Sequence, residues 1–123
     1  MRLELRCTIS GVSRTDPERV LVYSMKGEGG EEVSIELPER IVEGLPGGMM
    51  AEGRRLLLVV SSEELDPSEW ELLMRGYVYL KRRGEGGWRT LISIGGLILR
   101  LQTPYEVGFG LMERVCVGAR PAE

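Results

Sequence analysis

The chain has 123 residues, 16 basic and 19 acidic, giving a formal net charge of −3. That length suits one domain, and 42% hydrophobic with 28% charged residues supplies a core and excludes wholesale disorder. There is no His, which removes the usual neutral-pH proton shuttle and the commonest metal ligand and excludes catalysis by His.

Period-two alternation begins almost at once. Leu3, Leu5, Cys7 and Ile9 fall on one face, with Glu4, Arg6, Thr8 and Ser10 on the other, as in a half-buried strand. Thr15-Asp16-Pro17 makes a turn, because Pro fixes φ and Asp bonds its own backbone. Strands follow at Val20–Met25 and at Val33, Ile35 and Leu37, joined by the flexible Gly27-Glu28-Gly29-Gly30, so the first three strands form a meander. Pro38 to Gly44 suits one helical turn, with Pro at its first position and Gly at its end. Leu56–Val60 is a continuous apolar run, a strand buried on both faces. Asp66-Pro67-Ser68-Glu69 has a helix-start signature, but alternation resumes by Leu72, so that helix is short.

Leu73–Leu80, Trp88–Ile94 and Leu97–Gln102 are the strongest strand signals, with Gly84-Glu85-Gly86-Gly87 turning the chain between the first two. Gly95-Gly96 between two alternating runs predicts a tight hairpin, since primed turns need positive φ; a bulge admitting a partner backbone is the alternative. A last strand is predicted at Leu111–Val117, with a loose tail after Gly118. Eight short strands with one or two helical turns predict an all-β, single-domain, OB-like antiparallel barrel over 1–118, with 119–123 as the tail.

Cys7 and Cys116 each fall in an apolar strand pattern and read as buried small hydrophobes, with a disulfide as the alternative. Two thiols without His do not complete a four-ligand zinc site unaided. No run reaches the roughly 20 apolar residues that span a bilayer, and the first residues already alternate, without a signal-like apolar block. The expectation is a cytoplasmic protein with no membrane partner. Asn is absent and Gln102 is the single Gln, a composition suited to heat adaptation.

No enzyme motif emerges. The acidic clusters (Glu31-Glu32, Glu63-Glu64, Asp66, Glu69, Glu71) fall in turns and a short helix, where carboxylates are solvated. The Gly-rich segments match neither a Walker A loop nor a dinucleotide fingerprint. No catalytic, cofactor or metal residues are assigned.

The charge is uneven along the chain. Residues 75–100 carry Arg75, Lys81, Arg82, Arg83, Arg89 and Arg100 against Glu85 alone, a balance of +5, while residues 1–45 stand at −3. Tyr77, Tyr79 and Trp88 lie in the same basic stretch. Three readings stay open: a solvated basic hairpin with core aromatics, a protein interface rich in Arg and Tyr, or a surface for single-stranded nucleic acid.

This stretch also resembles a family. Glu71-Leu72-Leu73-Met74-Arg75-Gly76-Tyr77-Val78-Tyr79, a basic hairpin, then Ser93-Ile94-Gly95-Gly96-Leu97-Ile98-Leu99-Arg100-Leu101 resembles the small eighth subunit of eukaryotic nuclear RNA polymerases. In that family a Met-x-Gly-x-x-Tyr segment precedes Ser-aromatic-Gly-Gly-Leu-Leu-Met-Arg-Leu. Met74, Gly76, Tyr79, Ser93, Gly95, Gly96, Leu97, Arg100 and Leu101 fall on the pattern, while Ile94 replaces the aromatic and Leu99 the Met. The firm match covers about 45 residues, and the N-terminal half agrees only in strand layout and in Asp16-Pro17.

The resemblance implies an eight-stranded OB-like barrel that is a non-catalytic part of DNA-directed RNA polymerase and docks on the largest subunit. The short Ser61–Trp70 connection, where eukaryotic members carry a longer loop, resembles the archaeal counterpart. The interface is expected at Arg75, Tyr77, Tyr79, Gly95, Gly96, Leu97 and Arg100. A stand-alone binder of single-stranded nucleic acid is the alternative, and a weak nucleic-acid contact within a polymerase is a further expectation.

Overall fold

A computed structural model describes residues 1–122. Eight strands close into an antiparallel barrel: β1 (Arg2–Thr15), β2 (Val20–Gly27), β3 (Glu32–Pro38), β4 (Arg55–Ser61), β5 (Leu72–Gly84), β6 (Gly87–Ile94), β7 (Leu97–Thr103) and β8 (Arg114–Pro121). Their order around the barrel is β1-β2-β3-β7-β6-β5-β8-β4, so no sheet edge is left along the ring. The expected meander is present as β1-β2-β3, and Gly95-Gly96 make the β6–β7 turn with φ of 56° and 91°. Nothing stands within 4 Å of where either glycine would carry a Cβ, so their role is conformational.

The alternation seen in the sequence sorts inside from outside. Leu5, Cys7 and Ile9 of β1 point inward with Tyr23, Met25, Val33, Ile35, Leu37, Val78, Ile92, Leu99 and Leu101, and all are buried in one core. Both barrel ends are plugged. In an antiparallel ring the β7–β8 connection and the β3–β4 connection lie at opposite ends. The first inserts Val107 and Phe109, the second Met49 and Met50. Lys81 holds the first plug in place by donating to the Phe109 carbonyl at 3.0 Å and pairing with Glu106 at 3.0 Å. The short α-helix α1 (Glu39–Glu43) has Pro38 as its N-cap residue, one position earlier than expected, and Gly44 at its C-cap.

β4 ends at the opposite end of the barrel from where β5 starts, so residues 62–71 run down the outside as a strap. Asp66 caps its short 3-10 turn (Pro67–Glu69) by accepting from Ser68 N at 3.0 Å. Leu65 and Trp70 of the strap cover Leu57, Val59 and Cys116 on the outer face, a second small core. This is why Leu56–Val60 is apolar at every position. Gly118 is required beneath the strap, since a Cβ there would lie 2.7 Å from the Trp70 ring.

Two sequence expectations at the C-terminal end are corrected. The last strand starts at Arg114 instead of Leu111, because Gly110 to Glu113 form a turn in which Met112 takes φ 66° and Gly110 N bonds Glu113 Oε1 at 2.8 Å. The domain also does not stop at Gly118. β8 continues to Pro121, Ala119 pairs with both Leu58 and Leu72 and is buried, and Ala122 N bonds Arg55 O at 3.0 Å. Of the predicted tail, Glu123 lies outside the described residues. Cys7 lies in the barrel core and Cys116 beneath the strap; both are free, as the buried-hydrophobe reading expects.

Candidate interaction surface

Strand pairing brings the two motif segments together. Gly76 and Tyr77 of β5 lie against Ser93 of β6, and Ser93 pairs in turn with Ile98 of β7. A Cβ on Gly76 would overlap the Ser93 carbonyl oxygen and stand 3.0 Å from Ile94 Cγ1. The glycine therefore serves close packing of β5 on β6. Met74 and Leu99 pack inward or against the core, which assigns them to the fold rather than to a surface.

The seven expected interface residues do not form one patch. Arg75 and Tyr77 face outward on β5 and line one groove. Arg100 faces outward on β7 in a second groove, two strands and one inter-row step from Tyr77, roughly 12 Å by strand geometry. Gly95 and Gly96 lie at the exposed tip of the β6–β7 hairpin, and Leu97 is half-buried on the inward-facing row with Leu99 and Leu101. Tyr79 sits at the β5 bulge between Val78 and Leu80 and is half-buried.

The first groove, about 740 Å³, runs between the strap and the β7–β8 connection. Its charged wall is a relay: Arg75 donates to Glu64 at 3.1 and 3.3 Å, and Cys116 Sγ donates to Glu64 Oε2 at 3.0 Å. The thiol's hydrogen bond, followed by that of Arg75, holds the Glu64 carboxyl below its ordinary range. Burial is the main cause that pushes the Cys116 thiol up, so this cysteine is a poor nucleophile. The apolar wall is open. Tyr77 is 40% exposed, Met112 68% and neighbouring Leu111 62%. Two large exposed apolar side chains in the groove, Tyr77 and Met112, beside a bidentate Arg and with exposed Leu111 next in the chain, have the composition of a protein-docking surface.

The sequence reading missed Leu111 and Met112 as surface groups, because they alternate into the pattern of the strand that follows. It also missed Glu31, a buried carboxylate that accepts from Gly29 N at 2.9 Å and from the Tyr105 hydroxyl at 2.6 Å. Burial, then the Glu31 carboxylate, pushes the Tyr105 hydroxyl up. Both Glu31 oxygens are satisfied, and the pair ties the β2–β3 turn to the β7–β8 connection. Among the described residues no group of three or more Cys, Asp or Glu is placed to hold a metal ion.

No family model matches the chain, and no curated protein matches it. Among solved structures it is similar to the cytoplasmic molybdate-binding protein ModG in a crystal form with molybdate bound, at 10% identity over 94% of each chain, with a TM-score of 0.40.

Proposed function

We propose that this chain is a non-catalytic accessory subunit of an archaeal DNA-directed RNA polymerase, working in the cytoplasm and docking on the largest subunit to support assembly or stability of the enzyme. The observation that supports this most is the way the two family-like segments fit one another: Gly76 leaves room for the Ser93 carbonyl, and Gly95-Gly96 turn the chain back so that the Arg100 strand joins the same sheet. The two segments thus fold into one three-stranded unit, which supports the reading.

That unit leaves Arg75 and Tyr77 outward, beside Met112, on a part of the barrel that the strap does not roof. Another apolar part of the outer face, on β4 and β8, is covered by the chain itself. A partner that buries Tyr77 and Met112 completes the same arrangement on β5. Native RNA polymerase purified from the source of this chain contains it in stoichiometric amount by mass spectrometry on this reading; a purified, active polymerase without it overturns the proposal.

A further inference from the structure

A second groove, about 680 Å³, lies on the outer face where β1, β2, β3, β7 and β6 run side by side. Register builds it from residues remote in sequence. Ser24, Ser34, Arg100 and Leu91 form one row across β2, β3, β7 and β6, and Lys26, Glu32, Gln102 and Arg89 form the next. Ser10, the bulged residue of β1, extends the first row and donates to Ser24 O at 3.1 Å.

The cations here are not neutralised by the chain. Arg89 stands directly opposite Arg82 on one side and Gln102 on the other; Arg100 stands between Ser34 and Leu91. Like charges opposite one another on a sheet are destabilising, so the Arg82–Arg89 pair is a local cost of the fold. Among the described residues, none of Lys26, Arg82, Arg89 and Arg100 takes part in an ion pair. Glu32 is the one acidic residue of the lining; it lies opposite Lys26, has Gln102 between it and Arg89, is diagonal to Arg100, and forms an ion pair with neither arginine. In a chain of net charge −3 this is a local excess of positive charge.

Next to the arginines is an apolar strip. Leu91 faces outward, half-buried, and pairs with Leu80 of β5, which faces the same way. Among the described residues no aromatic ring lines the groove itself, and Tyr79, bulged beside Leu80, is half-buried. Single-stranded nucleic acid is held by stacking platforms as well as cations, whereas an Arg pair beside a leucine strip suits a strand that carries carboxylates and apolar side chains on the same face, two residues apart. We infer that this groove binds an extended acidic segment of a protein partner, its carboxylates on Arg89 and Arg100 and its apolar side chains on Leu91 and Leu80. The inference stands apart from the polymerase reading and from the Tyr77 groove.

The test is fluorescence anisotropy of the intact chain with a labelled peptide of repeating Glu-Ser-Leu-Ser, whose Glu and Leu side chains share one face when extended, with oligothymidylate as competitor. The peptide binds, more weakly as salt rises, and the double variant Arg89→Glu/Arg100→Glu weakens it roughly tenfold or more. That variant keeps its thermal stability, because Arg89→Glu now pairs Arg82. Ser34→Asp places a carboxylate opposite Arg100 and also blocks the peptide. Arg2→Glu, at the far end of β1, binds as the parent does. Absence of peptide binding, binding indifferent to both groove variants, or displacement of the peptide by a thymidylate strand that those variants also reject would overturn the inference.

Discussion

Replacing Gly76 with alanine puts a methyl group onto the Ser93 carbonyl oxygen and within 3.0 Å of Ile94 Cγ1. The carbonyl belongs to the backbone of the neighbouring strand, so rotating a side chain does not relieve the overlap. β5 and β6 must separate near Tyr77–Ser93, weakening about one or two ladder hydrogen bonds at about 1 kcal/mol each and adding an overpacking cost of about 1–2 kcal/mol. The sum is roughly 3 kcal/mol, or a drop of about 10 °C in Tm for a domain of this size. Gly84→Ala is the comparison: nothing lies within 4 Å of a Cβ at Gly84, and the substitution is neutral or raises stability by about 0.5 kcal/mol through the unfolded chain. Both variants are followed by calorimetry and by urea unfolding. Equal Tm values for the two alanine variants would refute the close-packing role assigned to Gly76.

Trp70→Ala removes the ring that covers Gly118, Val59 and Cys116, at a cost of about 3–5 kcal/mol; limited proteolysis should then cleave the strap within residues 62–71. A strap that stays resistant to protease would contradict its anchoring by Trp70. For Cys7, burial first and then the Glu31 and Glu28 carboxylates push the thiol up from 9.0 to about 12. The unfolded chain therefore releases this proton first, and the stability it contributes is whole below about pH 9 and withdrawn as pH rises toward 12. Urea midpoints across that range should fall more steeply for the parent than for Cys7→Ala, by at most about 1.4 kcal/mol per pH unit. Parallel curves would show that the thiol titrates alike in both states.

The barrel was legible because most of its strands alternate at period two, and a closed ring needs only that alternation to separate inside from outside; β4, buried on both faces beneath the strap, is an exception. Leu97, Leu99 and Leu101 announced their face, and Gly95-Gly96 their turn. What failed was local or long-range. Leu111 and Met112 carry strand-like side chains, yet a hydrogen bond from Gly110 N to Glu113 and a left-handed Met112 turn the chain there. Ala119 looked like tail because its burial depends on two strands, β4 and β5, that pair with it from far along the chain. The same reason hides the grooves. Arg75 and Tyr77 were named from the motif, but Met112 joins them through the fold. Arg100 meets Ser24, Ser34 and Lys26 through register alone. Phe109, the single Phe, gave no periodic signal as a plug, since plugs sit in connections rather than in strands.

The central claim is that the Tyr77 face docks on the largest subunit of RNA polymerase. The direct measurement is a pull-down from native extract with the tagged chain beside Tyr77→Glu/Met112→Glu, both shown to be folded by thermal melting. Mass spectrometry is predicted to find the largest polymerase subunit with the parent chain and to find it lost or strongly depleted with the double variant. Its absence from the parent pull-down, or equal recovery by both proteins, would contradict the account.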